Sequence, residues 1–362
     1  MITLLKAGDC VLGIDTSCYT TSTALVSARG LEWEARTPLS VKPGAKGLRQ
    51  SEALFQHVRN FPALLQNMPG KLAITAVAAS VRPRPQEGSY MPVFVAGSSF
   101  GETLAATLHV PFFQTTHQEG HLEAAFQSAR LLGMDPPGST LGDSPGGVQN
   151  GTLGGSLGGS LGGSLGNEML AVHISGGTTE LLRVARCQAI WEINLLGGST
   201  DLSAGQFIDR VGQALGLPFP AGPHLEQLAL QSSPETEGTF KIPAPCEQYQ
   251  ISFSGPTTAA LRAIEKGTPP AEVAVAVLQC IASALVKMLR KAVAQEQLSS
   301  ILIAGGVAAN RLIRARLVDV LEQPGIGGRV FFGSPVLSGD NAVGVAYIGR
   351  AHLEAIGGDA HA

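Results

Sequence analysis

Two histidines four residues apart, His117 and His121 in Thr116-His-Gln-Glu-Gly-His-Leu-Glu123, are the sharpest chemical feature of the chain. On a helix, positions i and i+4 share a face, so both imidazoles can meet one metal ion. The same spacing also arises without function on solvated helix faces, so the pair alone leaves both readings open. Glu119 follows His117 by two residues and points well round the helix, so it cannot be the glutamate base of an H-E-x-x-H metallopeptidase. Two imidazoles under-coordinate an ion, and a carboxylate from elsewhere is the natural third ligand. Asp340, in Leu337-Ser-Gly-Asp-Asn-Ala342, is the candidate. It precedes a small-residue helix running towards Ala355, where an N-cap role explains it equally well.

A second group of residues suits phosphate. Val11-Leu-Gly-Ile-Asp-Thr-Ser17 before Thr20–Val26, and Leu170–Thr179 before Leu181–Ala185, each read as a strand, a tight turn of glycine or hydroxyl residues, and a second strand. One such turn is an ordinary hairpin. A pair can clasp phosphates from both sides with N–H and hydroxyl donors. Gly305-Gly306 and Asn310 mark a strand-to-helix turn, either an anion site or plain packing. Ser203 and Gln206 fit a capping box opening a helix with apolar face Ala204, Phe207, Ile208, Val211 and Leu215. Asp209 lies on its polar side, either as a solvated acid or as a carboxylate gripping ribose hydroxyls.

These groups must be positioned by strands alternating with helices. Leu72–Ala79 and Pro111–Thr115 read as strands around a helical run Gly101–Leu108, and Ser299–Ala304 leads into a helix at 309–321. The class is α/β, with largely parallel sheets and helices packed on them. Between 133 and 166, Gly-Gly-Ser-Leu repeats and prolines offer nothing to a core, and a flexible surface excursion is expected there. The chain therefore divides into a first lobe at 1–132, the insert at 133–166 and a second lobe at 167–362. The last helix, at about 341–356, is expected to pack back on the first lobe.

Of 362 residues, 44% are hydrophobic and 15% charged, enough apolar surface to exclude a globally disordered chain. The balance of 25 basic against 28 acidic residues excludes a uniformly basic nucleic-acid binder. The stretch from Arg29 to Arg84 carries nine basic against three acidic residues, enough to hold phosphates locally. Five scattered cysteines without a C-x-x-C pair argue against a disulfide framework or a cysteine zinc site. The first ten residues do not read as a signal peptide. Ala271–Leu289, with Glu272, Gln279 and Lys287, reads as a buried amphipathic helix rather than a membrane span. A cytoplasmic protein is expected.

Taken together, the residues resemble the tRNA N6-adenosine threonylcarbamoyltransferase family, the TsaD-type proteins once described as glycoprotein endopeptidases. The motifs are Gly13-Ile-Asp-Thr-Ser17, Gln56-His-Val-Arg59, His117-Gln-Glu-Gly-His121, Ile174-Ser-Gly-Gly177, Ala204-Gly-Gln-Phe-Ile-Asp209, Pro220-Ala-Gly-Pro223, Ser252-Phe-Ser-Gly255, Ala304-Gly-Gly-Val-Ala-Ala-Asn310 and Gly339-Asp-Asn341. They follow one another in the family's order over nearly the whole chain outside the insert.

The resemblance implies an actin-like, sugar-kinase-like fold of two related lobes with a nucleotide cleft between them. It implies one divalent metal, iron ahead of zinc, on His117, His121 and Asp340. The implied ligand is threonylcarbamoyl-adenylate or an ATP/AMP-type nucleotide, held by His173, Ile174, Ser175, Gly176, Gly177, Asp209, Gly222 and Asn310. Asp15 would be catalytic, facing the phosphate or the reacting group. The implied reaction is metal-assisted transfer of the threonylcarbamoyl group to N6 of the tRNA adenosine beside the anticodon. The implied partners are tRNA, a smaller actin-like paralogue subunit and an ATPase subunit.

The sequence departs from the family pattern at four places. Thr178 stands where His is usual and Gln206 where Glu is usual. Val81-Arg-Pro-Arg-Pro-Gln-Glu87 replaces a Gly-Pro-Gly loop, and Tyr19-Thr20 replaces an acidic pair. A non-catalytic actin-like paralogue, binding nucleotide or a partner as a scaffold, is the alternative reading.

Overall fold

Apolar runs ended by short polar turns dictate a first sheet of five strands. In the computed structural model these are β1 (Asp9–Asp15), β2 (Thr20–Ser27), β3 (Gly30–Pro38), β4 (Ala73–Arg82) and β5 (Phe112–Thr116). Helix α1 (Gln50–Gln66) leads into β4, and α2 (Phe94–Leu108) connects β4 to β5. The structure describes residues 9–17, 19–41, 48–70, 72–132, 167–187, 190–232 and 240–358, so the insert expected at 133–166 lies outside the described residues. The sheet order is β3-β2-β1-β4-β5. Strands β1 to β3 form an antiparallel meander, while β4 and β5 add in parallel through helical crossovers.

After α3 (His117–Leu132), the pattern begins again with β6 (Glu168–Ile174), β7 (Thr179–Cys187) and β8 (Ile190–Ser199). Helices α4 (Ala204–Ala214) and α5 (Gly222–Ala229) follow, then short strands β9 (Cys246–Glu247) and β10 (Gln250–Ile251). The chain continues through α6 (Ser254–Glu265), α7 (Pro270–Glu296), β11 (Ser300–Ala304), α8 (Arg311–Leu321) and β12 (Arg329–Phe332). It closes with α9 (Pro335–Ser338) and α10 (Val343–Gly358). The second sheet runs β12-β11-β6-β7-β8-β10-β9. Its five strands β8-β7-β6-β11-β12 repeat the first sheet's order and pairing directions. The two strand–turn–strand phrases are thus the leading hairpins of a duplicated sheet.

Among the described residues, α7 is the helix long and apolar enough to cross a membrane. Its Val273, Val277, Ile281 and Leu285 are instead buried in the core beneath the second sheet. That burial supplies the hydrophobic stabilisation such a composition demands.

Two helices lie between the sheets. Leu122, Ala125, Phe126 and Ala129 of α3 pack on Met169, Ala171, Leu182 and Val184 of the second sheet. Val345 of α10 packs on Val11, Ala76 and Ala78, and Val343 and Ala346 on Ala24 and Val26, all of the first sheet. The helix following the first sheet therefore covers the second, and the last helix covers the first. The two cross where glycines permit it. A Cβ on Gly344 would land on the Gly120 carbonyl and lie 2.8 Å from the Ala124 nitrogen. On the opposite side of α10, a Cβ on Gly13 would lie 2.5 Å from the Ala342 oxygen. Only glycine lets the head of α10 wedge between β1 and α3.

Candidate metal centre and adjoining cleft

Helix α3 begins where β5 ends, with no loop between. The Thr116 hydroxyl accepts from the Glu119 N–H at 3.2 Å, and the Glu119 carboxylate accepts from the Thr116 N–H at 2.8 Å. This reciprocal capping box fixes the first turn and commits Glu119 to it. His117 is the first helical residue and His121 lies one turn on, their ring centroids 4.4 Å apart. Asp340 enters from the segment before α10. Its Oδ1 stands 3.6 Å from His117 Nε2 and 3.5 Å from His121 Nε2, and the ligand atoms of all three residues lie within 4.8 Å of one another. The helix cap that Asp340 could have supplied is made by its neighbour: Asn341 Oδ1 accepts from the Val343 N–H at 3.0 Å.

Asp15, at the end of β1, is fully buried behind this cluster. Its Oδ1 meets His117 Nδ1 at 3.2 Å and accepts from the Ser80 hydroxyl; its Oδ2 accepts from the Ser17 hydroxyl at 2.6 Å. Burial pushes the Asp15 carboxyl up, but the His117 charge and these hydrogen bonds prevail and hold it at about 2. Burial likewise lowers His117, yet the Asp15 and Asp340 carboxylates raise it to about 9. Burial, then the neighbouring His117 charge, pushes His121 down. The expectation for Asp15 was contact with a phosphate or the reacting group. Its place in the fold is one hydrogen bond behind His117, where a carboxylate fixes which ring nitrogen faces forward.

The residues fit a divalent ion. His121 Nε2 is buried without a hydrogen-bond partner among the described residues, an arrangement that costs free energy unless a ligand satisfies it. Two imidazoles and a carboxylate oxygen converging on one point suit a first-row transition metal.

The nucleotide candidates form a continuous path beside this centre. Gly176 and Gly177 face open space in the β6–β7 turn, which the Ser175 N–H closes onto the Thr178 oxygen at 2.8 Å. The head of α4 docks beneath it: the Ser203 hydroxyl donates to the Gly176 oxygen at 2.7 Å, and a Cβ on Gly205 would lie 2.5 Å from the Ser175 oxygen. Asp209, on the next turn of α4, accepts from the Ala221 N–H at 2.8 Å and so holds the segment carrying Gly222; burial raises its carboxyl. Glu226 of α5 accepts from the Arg311 N–H at 2.8 Å beside Asn310, which caps α8 by accepting from the Ile313 N–H at 3.0 Å. Gly305 closes the path, since a Cβ there would land on the Ile174 carbonyl oxygen. His173 lies buried on β6, its ring 5.0 Å from that of His121. Across the path, Tyr19 of the first sheet's turn meets Phe219 edge-on at 5.7 Å.

A family model described as TsaD, tRNA N6-adenosine threonylcarbamoyltransferase, matches residues 161–347. The protein of that name from Polaromonas sp. (strain JS666 / ATCC BAA-500) is 30% identical over 360 residues, spanning 95% of this chain and 92% of its own. The chain belongs to this family. The threonylcarbamoyltransferase of Aromatoleum aromaticum is also 30% identical, over 359 residues. Among solved structures, the activator of the 2-hydroxyisocaproyl-CoA dehydratase from Clostridium difficile with bound ADPNP superposes with a TM-score of 0.50 at 10% identity over 97% of both chains. HypF of T. kodakarensis gives 0.53 at 14% identity, over 98% of this chain and 49% of its own. The fold is actin-like and sugar-kinase-like.

Relative to other TsaD-type proteins, the departures acquire physical roles. Gln206 completes the capping box of α4, its Oε1 accepting from the Ser203 N–H at 3.1 Å. In the Val81–Glu87 loop, Arg84 pairs with Glu180 at 2.7 Å and stands 3.5 Å from the Thr178 hydroxyl. Glu180 also accepts from Gln118 Nε2 at 2.7 Å. This link between the loop, α3 and β7 was not read from the sequence. The alternation Arg82-Pro-Arg-Pro85 was its one signal, a stiff loop presenting cations.

Proposed function

We propose that this member of the family transfers a threonylcarbamoyl group from threonylcarbamoyl-adenylate to N6 of the tRNA adenosine beside the anticodon. The observation that carries the reading is the convergence of His117, His121 and Asp340, with Asp15 holding His117 from behind. Bound by those three residues, a divalent ion, iron ahead of zinc for a two-histidine, one-carboxylate set, would supply Lewis acidity to an oxygen of the ligand. Asp15 keeps the His117 Nδ1 proton in place, so Nε2 stays turned towards Asp340. The open Ser175-Gly-Gly177 turn offers backbone N–H groups to a phosphate. Asp209, Gly222 and Asn310 border the nucleoside, and His173 and Ile174 bring the turn against the metal centre. In the transfer, the bond from N6 to the carbamoyl carbon forms, the carbon–oxygen bond to phosphate breaks, AMP leaves with its electron pair, and the amine proton passes to solvent. In this reading the net-basic stretch from Arg29 to Arg84 supplies charge that attracts tRNA phosphates. A smaller actin-like paralogue and an ATPase subunit complete the assembly, in the cytoplasm, with the cleft between lobes 1–132 and 167–362.

The test is mass spectrometry of tRNA nucleosides after reaction of the full chain and its partner subunits with threonylcarbamoyl-adenylate. Modified adenosine is expected, and it should fall sharply after chelation or in Asp340→Asn. Nucleotide binding without any product would overturn the reading and leave the scaffold.

A further inference from the structure

Two of the departures from the family pattern meet in space. Arg84 follows β4 of the first sheet, and Thr178 closes the β6–β7 turn of the second. Arg84 Nη2 lies 2.7 Å from Glu180 Oε1 and 3.5 Å from the Thr178 hydroxyl. An imidazole at 178 and a guanidinium at 84 would therefore compete for one place. The two departures are a single change, in which a cation reaches the turn from the other sheet.

The backbone around Arg84 positions it. Pro83 and Pro85 fix φ on either side. The Arg84 N–H donates to the Ser89 hydroxyl at 3.2 Å, and the Pro83 carbonyl accepts from the Gln118 N–H at 3.0 Å. Gln118 directly follows His117, so the loop is pinned beside the candidate metal centre. The Gln118 amide donates to Glu180 at 2.7 Å, while its Oε1 is buried with no hydrogen-bond partner among the described residues. Glu180 thus keeps a donor if Arg84 turns away from it.

Glu180 does not exhaust Arg84. Both contacts run through Nη2, and a guanidinium carries five N–H donors in a planar fork. The side chain is 36% exposed, so its ion pair contributes little and exchanges readily for another oxyanion. A carboxylate meets that fork with two parallel hydrogen bonds. The ligand read above carries two anionic groups. The N–H donors of the Ser175-Gly-Gly177 turn suit its phosphate. Arg84 stands past the end of that turn, on the side of Gln118 and His117, where the transferred group would lie.

We propose that Arg84 is a specificity-determining residue that binds the carboxylate of the threonylcarbamoyl group. The proposal rests on the transfer reading above and deepens it. Through Arg84 the chain would select an acyl group with a free carboxylate over one without.

The test is calorimetry on the full chain at one ionic strength with three probes. These are AMP, a non-hydrolysable analogue of threonylcarbamoyl-adenylate, and the same analogue with its carboxylate converted to a primary amide. The native chain should bind the acid about tenfold more tightly than the amide, or about 1.4 kcal/mol. Arg84→Gln should bind those two alike and leave AMP binding unchanged. Arg84→Lys keeps the charge without the fork and should fall between. Equal binding of acid and amide by the native chain, or a preference kept by Arg84→Gln, would overturn the proposal while sparing the transfer reading. A loss in Arg84→Gln shared equally by AMP would also overturn it, by giving the guanidinium to the phosphate. Failure of the native chain to bind any of the three would overturn both. The comparison of acid with amide in the native chain requires no variant, so misfolding of Arg84→Gln would not blunt it.

Discussion

The turn after β1 and the turn after β6 occupy the same place in two sheets of identical strand order, yet they are built for opposite purposes. Asp15, Thr16 and Ser17 are fully buried, and their polar atoms are spent inside the protein. Gly176 and Gly177 are open to their surroundings and backed by the head of α4. Duplication supplied one scaffold twice, and side-chain size decided which copy became support and which became a surface. A carboxylate at the first turn braces His117, a candidate metal ligand, from behind. Two glycines at the second leave backbone donors facing outwards.

The largest effect should come from breaking the buried turn. Asp15→Ala leaves His117, Ser17 and Ser80 without their shared carboxylate, and should cost about 3–5 kcal/mol, read as a lower urea midpoint. Titration should show the same pair from the other side in chelator-treated protein. The raised His117 contributes stability that is complete below 6.5 and lost as pH rises through about 9. The depressed Asp15 contributes stability present above 3.8 and lost as pH falls through about 2. Unfolding midpoints measured across pH should therefore decline on both flanks of that window, and a flat profile would contradict the pairing.

Asp340→Asn should abolish most metal binding on elemental analysis. The metal-free protein should keep its stability within about 0.5 kcal/mol, because Asn341 already makes the cap. Gly176→Ala, at the open turn, should also leave stability within about 0.5 kcal/mol. Calorimetry should then find adenylate binding weakened about tenfold, or about 1.4 kcal/mol. The smallest effect is expected from Gln206→Glu, because a glutamate closes the same capping box. An unchanged melting temperature would confirm that this departure from the family is structurally neutral.

Both leading hairpins were legible because β1 and β6 are buried on both faces and so read as unbroken apolar runs. The histidine pair was legible because its geometry is local to one helix. Which of Asp340 and Asn341 makes the helix cap was not, since Asp and Asn at adjacent positions cap a helix equally well. The contact from Asp15 to His117 spans 102 residues and leaves no mark on either neighbourhood. Helix α2 was expected to start at Gly101 and starts at Phe94. Gly97 looks like a helix breaker in sequence, but it is there because a Cβ would press within 2.8 Å of the Thr16 hydroxyl.

The crossing of α10 over α3 carries a consequence for synthesis on the ribosome. The first sheet is complete in sequence once β5 has emerged, but α10, which covers one of its faces, follows only after the whole second sheet. At cellular elongation rates of roughly 5–20 residues per second, the delay is about 11–45 s. During that interval Val11, Ala76 and Ala78 lack their Val345 cover, which makes the nascent first half a natural client for chaperones. Asp340 arrives at the end of the same interval. Metal capture by all three candidate ligands would then require that both halves have been made and have docked.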